Sequence, residues 1–483
     1  MGIFRSNDPT VFDDVDGIVI DESAPPPSIN GAKTNVVLLV GQFERGPLTV
    51  ESVGSLGELY EAYGNNNAYS GMAALRNKKF GTLKICRVAA TGADKAAKTF
   101  QNSTPADAIT FTAKFPGSYG NNIKVTIAAG SSSGKKYTIQ DTNANAVLPI
   151  EVYDNVAIAN IVADAPFAES KLVDVAVVLA TSEPANASAT SLLLGSDDTV
   201  ADSDYQTAIA LAEVEGICNL LFLDSYNATR NGYLETHAAA TQDKLVVLCG
   251  AESDAPATAI TDVANFRDTD GRIVYAYPYI KTSIDGVDVY QAPASWVASI
   301  ISQIGPHIDP AYAKNVAFTA GITGLKRTLT RQNFIDLMAA GVCSFEYDAD
   351  LGYKIKSGIV TQIVDSSKVT IVRRRMADYL TYSAAKFLKN YQNAVNSKEN
   401  RTAVKGAILS FVEQHERAPL SMLPSDKDVK TGKAKLVDTE SLNTDDSIGA
   451  GKFYVQWKQR LFSSMRFIVI KAEIGETVVV TET

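Results

Sequence analysis

The sequence predicts an α/β core that is interrupted by a β-rich insertion and followed by an α+β domain, with a strand-forming arm at each end. Three observations carry that expectation. Short continuous apolar runs recur at 36–40, 220–223, 245–249 and 273–277, the last three roughly 25 residues apart with helix-like segments around them, as in β-α-β units. From Thr91 to about Asp198 the composition shifts to Ala, Thr, Ser and Asn with short alternating strands. Two long amphipathic helix patterns, at 373–395 and 401–414, then precede a charged, lysine-rich connection at 426–446 and apolar closing strands.

Taken in order, the first element is an arm. Val15, Ile18, Val19 and Ile20 form an apolar strand candidate flanked by Asp13, Asp14, Asp21 and Glu22. Pro25, Pro26 and Pro27 then make a stiff extended spacer without amide donors, which holds this strand away from the body of the chain. The run at 36–40 reads as a strand buried on both faces, turned by Gly41, Gly46 and Pro47. Ser55 and Glu58 have capping-box spacing ahead of Leu59, Gly64 stops that helix, and 83–88 is the next strand. Within the insertion, strands are expected at 109–113, 123–128, 137–140, 147–153 and 173–179. The α/β pattern resumes with helices near 205–212, 259–266, 296–304 and 330–340 and a strand pair at 343–347 and 353–355.

Lys398, Arg401 and Lys405 recur at steps of three and four, so they share a face if the second long helix begins early: a solvated face, or a docking stripe for an acidic partner. Closing strands are expected at 453–457, with Phe453, Val455 and Trp457, and at 467–470, with Phe467 and Val469. The last run carries Thr477, Val478, Val479 and Val480, apolar on both faces at its centre. Two strand-forming arms either fold back on their own domain or add to the sheets of neighbouring copies, and from the residues both readings stand. The predicted boundaries are 1–27 for the first arm, 28–92 with 199–362 for the core, 93–198 for the insertion, 363–470 for the α+β domain and 471–483 for the second arm.

A length of 483 residues implies several domains, and 46% hydrophobic with 20% charged residues is ordinary for a folded chain. The formal charge of −9 is uneven: residues 366–483 hold 19 Lys+Arg against 13 Asp+Glu, leaving an acidic remainder that argues against nucleic acid. No run approaches a membrane span and the first residues lack a signal-peptide core, so a chain made and kept in a cytoplasm is expected, without membrane insertion. Cys86, Cys218, Cys249 and Cys343 are far apart, and His237, His307 and His415 are isolated, so no metal or other cofactor is expected. Gly130 to Gly134 matches G-x-S-x-G, but strand-like residues on both sides make it a hairpin tip instead of a nucleophile elbow. The segment 41–46 lacks the Gly-Lys-Ser/Thr of a phosphate loop, and Asp13, Asp14 and Asp16 lack the glutamate that would close a calcium loop.

Several segments together resemble the tail sheath proteins of contractile bacteriophages and related injection particles, over most of the chain. The most specific are GAKTNVVLLVGQFERGPLTVESVGSLGELYEAYG at 31–64 and FTAKFPGSYGNNIKVTI at 111–127, with Pro116-Gly117 and Gly120-Asn121-Asn122 entering a strand. Less specific are Ala292 to Ser295, 321–329 and 340–361. The resemblance implies a subtilisin-like α/β core without protease chemistry and a C-terminal α+β domain nearest the tail tube. It further implies arms that add strands to neighbouring subunits, with Lys398, Arg401 and Lys405 as candidates to face the tube. The implied function is a helical, contractile sheath of a virion tail, assembled in the host bacterial cytoplasm. Its implied partners are other copies of the chain, the tube protein, and baseplate and tail terminator proteins. A static shell protein and an α/β enzyme are the alternatives.

Overall fold

The computed structural model describes residues 2–5, 17–20, 29–161, 165–214, 220–365, 367–417 and 420–464. The chain divides into two compact units, Lys33–Arg375 and a smaller one that joins Met1–Ala32 to Met376–Thr483. Residues 29–32, expected in the core, thus stand with the C-terminal unit.

The larger unit is built on an eight-stranded sheet. Its order is Gly352–Ile355, Val342–Asp348, Ile273–Tyr277, Leu245–Cys249, Leu220–Leu223, Val36–Gln42, Thr82–Val88 and Glu51–Val53. The six inner strands run parallel and the two outer ones antiparallel. Three inner strands, Leu220–Leu223, Leu245–Cys249 and Ile273–Tyr277, keep their expected bounds. Their apolar runs are continuous because both faces are covered. Alternate residues of Val36–Gln42 go to opposite sides: Val37 and Leu39 pack with Trp296, Ile300 and Ile301 of the helix Pro293–Gln303, whereas Val36, Leu38 and Val40 pack with Tyr205, Ile209 and Leu234.

Local chemistry fixes the helix ends. Ser55 accepts the Glu58 amide at 3.2 Å to start Leu56–Tyr63, while the Glu58 carboxylate takes the Gly54 amide at 2.8 Å, one residue earlier than in a capping box. Thr330 and Asn333 form a complete box ahead of Arg331–Ala340, and Gly341, at φ +90°, ends that helix.

The insertion has two sheets around its own core. One orders Glu151–Val156, Lys135–Asp141, Ile123–Ala129 and Ala187–Ser191, the other Val173–Val177, Asp107–Ala113 and Ala97–Gln101. Phe111, Tyr137 and Phe167 meet between them with ring centroids 5.4 to 5.8 Å apart. The strand expected at 147–153 begins instead at Glu151. Residues 130–134 do form a hairpin tip, in which Asp154 and Asn155 accept the amides of Ser131, Ser132 and Ser133.

In the smaller unit the first long helix spans Ile371–Leu388, beginning in the larger unit, and stops short of the expected 395 because Lys389–Tyr391 tightens into a 3-10 turn. The second is Lys398–Glu416, capped by Ser397, which accepts the Asn400 amide at 3.2 Å. Its buried stripe is Val404, Ala407, Ile408, Phe411 and Val412.

Candidate assembly surfaces

The parallel strands, numbered by sequence, stand in the order 2-1-3-4-5-6, so the order reverses between Val36–Gln42 and Leu220–Leu223. In doubly wound sheets a ligand binds in the crevice at that reversal. Here the protein's own side chains fill it. Asp224, directly after the second strand, is buried and accepts the Gln42 amide at 2.8 Å, the Tyr205 hydroxyl at 2.9 Å and the Ser225 hydroxyl at 3.1 Å, with the Ser70 hydroxyl also bonded to it. Burial raises its carboxyl above the usual range against those hydrogen bonds, which pull the other way. Sequence reasoning missed this residue; the available signal was an acid abutting a fully apolar strand.

The insertion is latched to the core through motif residues. Arg45 and Asp141 form a buried ion pair at 3.1 Å, and Arg45 also donates to the carbonyl oxygens of Tyr60 and Glu61. The Arg87 guanidinium donates to the carbonyl oxygens of Phe43, Gly46 and, across the junction, Pro116 at 2.8 Å. Gly117 has φ +137°, and a Cβ on Gly120 would lie 2.8 Å from that of Ala96 and 2.9 Å from that of Ala113. Asn121 exchanges two hydrogen bonds with the Gly195 backbone. The segments 41–47 and 116–121 therefore serve the joint between two lobes.

The smaller unit holds the elements expected to join copies. Residues Gly2–Arg5 and Gly17–Ile20 pair as a two-stranded parallel sheet, so Ile18, Val19 and Ile20 lie in a strand whose partner, two to five residues into the chain, had not been expected. Val15, Phe467, Val469, Thr477, Val478, Val479 and Val480 lie outside the described residues. A second pair, Lys435–Asp438 with Gln456–Gln459, forms an antiparallel ribbon against the helix Lys398–Glu416, held there by Lys435 to Glu416 at 2.8 Å. This corrects the strand expected at 453–457: Trp457 is in the ribbon, but Phe453 and Val455 precede it, because Asn443 bonds the Tyr454 backbone at both its amide and carbonyl and holds it out of the ladder. Val437 and Trp457 face each other, while Leu436 and Lys458 form the exposed pair. Among the described residues neither strand of either pair has a second neighbour, and Trp457 Nε1, Gln459 Oε1 and Thr439 Oγ1 are buried without a hydrogen-bond partner.

The basic stripe on Lys398–Glu416 is split. Lys398 and Lys405 are exposed, but Arg401 is buried, donating to Glu440 at 3.3 Å and to the Asn396 carbonyl at 3.1 Å, so it is withdrawn from any outer surface. Its guanidinium ties the ribbon's following turn to the helix. Near the other end of the same helix His415 donates from Nδ1 to the Phe411 carbonyl and shares a hydrogen bond between Nε2 and the Tyr379 hydroxyl, each at 2.7 Å. Tyr379 in turn lies against Gly31, where a side chain would collide with its hydroxyl, and Ala32 donates its amide to Ser383 Oγ at 2.9 Å. The segment after the first arm is thereby fixed on this unit. Among the described residues no helix is long and apolar enough to cross a membrane.

No family model and no curated protein sequence matches the chain. Solved structures do. A sheath tail protein from Listeria innocua aligns over 89% of this chain and 96% of its own at 14% identity, with a TM-score of 0.66. A sheath tail protein from Desulfitobacterium hafniense covers 92% and 100% at 16% identity, with a TM-score of 0.62. The helical sheath of the anti-feeding prophage in its contracted state covers 95% and 99% at 16% identity, with a TM-score of 0.59. The large sheet, the insertion and the small unit with its ribbon together therefore have the fold of tail sheath proteins.

Proposed function

We propose that this chain is a structural subunit of a contractile tail or injection particle, polymerising helically around a tube and shortening to drive the tube through a bacterial envelope. The observation that carries this reading is the ribbon Lys435–Asp438 with Gln456–Gln459, two short strands with open edges and unpartnered buried polar atoms beside them. A two-stranded sheet is marginal alone and gains from a third strand. The sheath fold of the whole chain supports the same reading.

In this proposal Ile18, Val19, Ile20 and the run from Thr477 to Val480 supply strands to the sheets of neighbouring copies. Each added strand gains about 0.5–1.5 kcal/mol per hydrogen bond and about 1.5–3 kcal/mol per well-buried valine or isoleucine, and loses about 1–2 kcal/mol per ordered residue, so one arm alone is close to neutral or modestly favourable. Firm assembly needs several arms and body contacts at once, which raises effective concentration. Partners are other copies of the chain, a tube protein that Lys398 and Lys405 would face, and baseplate and terminator proteins at the two ends. The particle would be assembled in a bacterial cytoplasm. For the core, the subtilisin-like description is kept as part of the proposal, supported by a parallel sheet with helices on both faces. The filled crevice around Asp224 favours a structural role over an enzyme.

Deleting 476–483 tests the arms. Electron microscopy of the purified protein should show tubules for the full chain and dispersed folded monomers for the truncation; normal tubules from the truncation would sink the arm reading.

A further inference from the structure

The larger unit carries a knob and a socket that the exchange of arms does not use. The segment leaving the insertion reads Leu192-Leu193-Leu194-Gly195. Leu192 is buried, but Leu193 and Leu194 face outward, Leu194 at 87% exposure. Leu194 also has φ +67°, a left-handed conformation that costs a leucine free energy and holds its side chain away from the body. Elsewhere on the same unit, between the helices Leu56–Tyr63 and Ser70–Leu75, lies an open cavity of about 380 Å³. Buried Leu59, Met72 and Leu75 line it together with Leu56, which is 62% exposed. A cavity of about 150 Å³ already holds a benzene-sized group, so this one has room for two leucine side chains.

We propose that Leu193 and Leu194 of one copy insert into this socket on a second copy. The charges agree. The lining includes Arg76, Lys78 and Lys79 and no acid. The Lys78 ammonium is taken by the Ala74 and Arg76 carbonyls and by Gln291, at 2.7 to 3.1 Å. Among the described residues Arg76 bonds the neutral Asn65, Asn67 and Tyr60, and Lys79 is exposed. Beside the knob stand Asp94, whose backbone bridges to Ser196, and Asp198, both exposed. Opposite charge around an apolar plug fixes its orientation. Because knob and socket are different surfaces, the contact repeats head to tail and builds an open array instead of closing on a dimer. It would give the bodies a link of their own, separate from the arms.

The test uses the full chain. Leu194→Gly removes the knob at a position where glycine is unstrained, so the unfolding temperature should hold or rise while the critical concentration for tubules increases about tenfold or more. An unchanged critical concentration would overturn the proposal. In a Cys218→Ser background, oxidising the Leu56→Cys, Leu194→Cys variant should give a ladder of dimers, trimers and longer species, since the remaining Cys86, Cys249 and Cys343 are buried. Cross-linking that is absent, or that stops at dimers, would overturn it as well.

Discussion

The crevice at the reversal of strand order and the ribbon of the smaller unit are both places where strands lack something beyond them, and they are finished in opposite ways. Around Asp224 the chain supplies a hydroxyl or amide for each acceptor position, so that site is complete in the monomer. The ribbon has two free edges and three unpartnered buried polar atoms near it among the described residues. One site is filled by the chain's own side chains, and the other has strand edges without a neighbour among the described residues. The contrast teaches that, among the described residues, the polar groups at the reversal of strand order are satisfied within the chain, whereas unsatisfied ones stand beside the ribbon of the smaller unit.

If the larger unit is complete by itself, breaking it should cost stability. Arg45→Ala leaves Asp141 buried without its counter-charge and should lower the unfolding free energy by about 3–5 kcal/mol in denaturant titration. A loss below about 1 kcal/mol would mean that the insertion is not latched through this pair. Asp224→Asn should cost less, about 1–3 kcal/mol, as hydroxyl donors lose an acceptor. Its pH dependence has a defined sign. The folded-state carboxyl of Asp224 titrates above its ordinary value, so its protonation favours folding at low pH and that contribution is lost as pH rises from about 4 through the raised value. The stability gap between wild type and Asp224→Asn should therefore narrow from pH 4 towards neutrality, and a gap that widens with pH would contradict the description of the crevice. Asp438, after the ribbon's first strand, behaves in the opposite way: hydrogen bonds from Ser441 and Glu440 hold it down to about 2, so its contribution is present at neutral pH and fades as pH falls below the ordinary value towards 2.

The smallest stability effect belongs to the exposed part of the smaller unit. Reversing the charges of Lys398 and Lys405 should leave the unfolding curve within about 0.5 kcal/mol of wild type while weakening tube-templated assembly more than free polymerisation. Equal weakening of both would make these lysines a merely solvated face.

How far the fold could be read from the sequence depended on what buries each segment. Leu220–Leu223 and Ile273–Tyr277 were legible because a strand covered on both faces is apolar throughout. Ala97–Gln101 and Ala187–Ser191 were not, since AKTFQ and ASATS hold few large apolar side chains and are strands only because the rest of their sheets fix them. The helix Lys398–Glu416 was legible, but the fate of Arg401 depended on Glu440, 39 residues later, which periodicity does not encode. The glycine and proline motifs at 46–47 and 116–120 could be recognised without revealing that Arg87 joins them. The pairing of Gly17–Ile20 with Gly2–Arg5 escaped because GIFR is too short to stand out.

The insertion leaves and rejoins the core through one narrow stem, where Asp94 bridges Ser196 and Ala97 bridges Leu193. Partners in such a bridge have Cα atoms only about 5 Å apart, so the whole lobe can be exchanged for any domain whose termini lie close together, without a change in the underlying sheet. The stem is thus a natural graft point for a foreign domain. Two contacts travel with the exchange: the incoming lobe has to bring an acid to meet Arg45 and an acceptor in place of the Pro116 carbonyl to meet Arg87, or these arginines have to be replaced along with the lobe they were matched to.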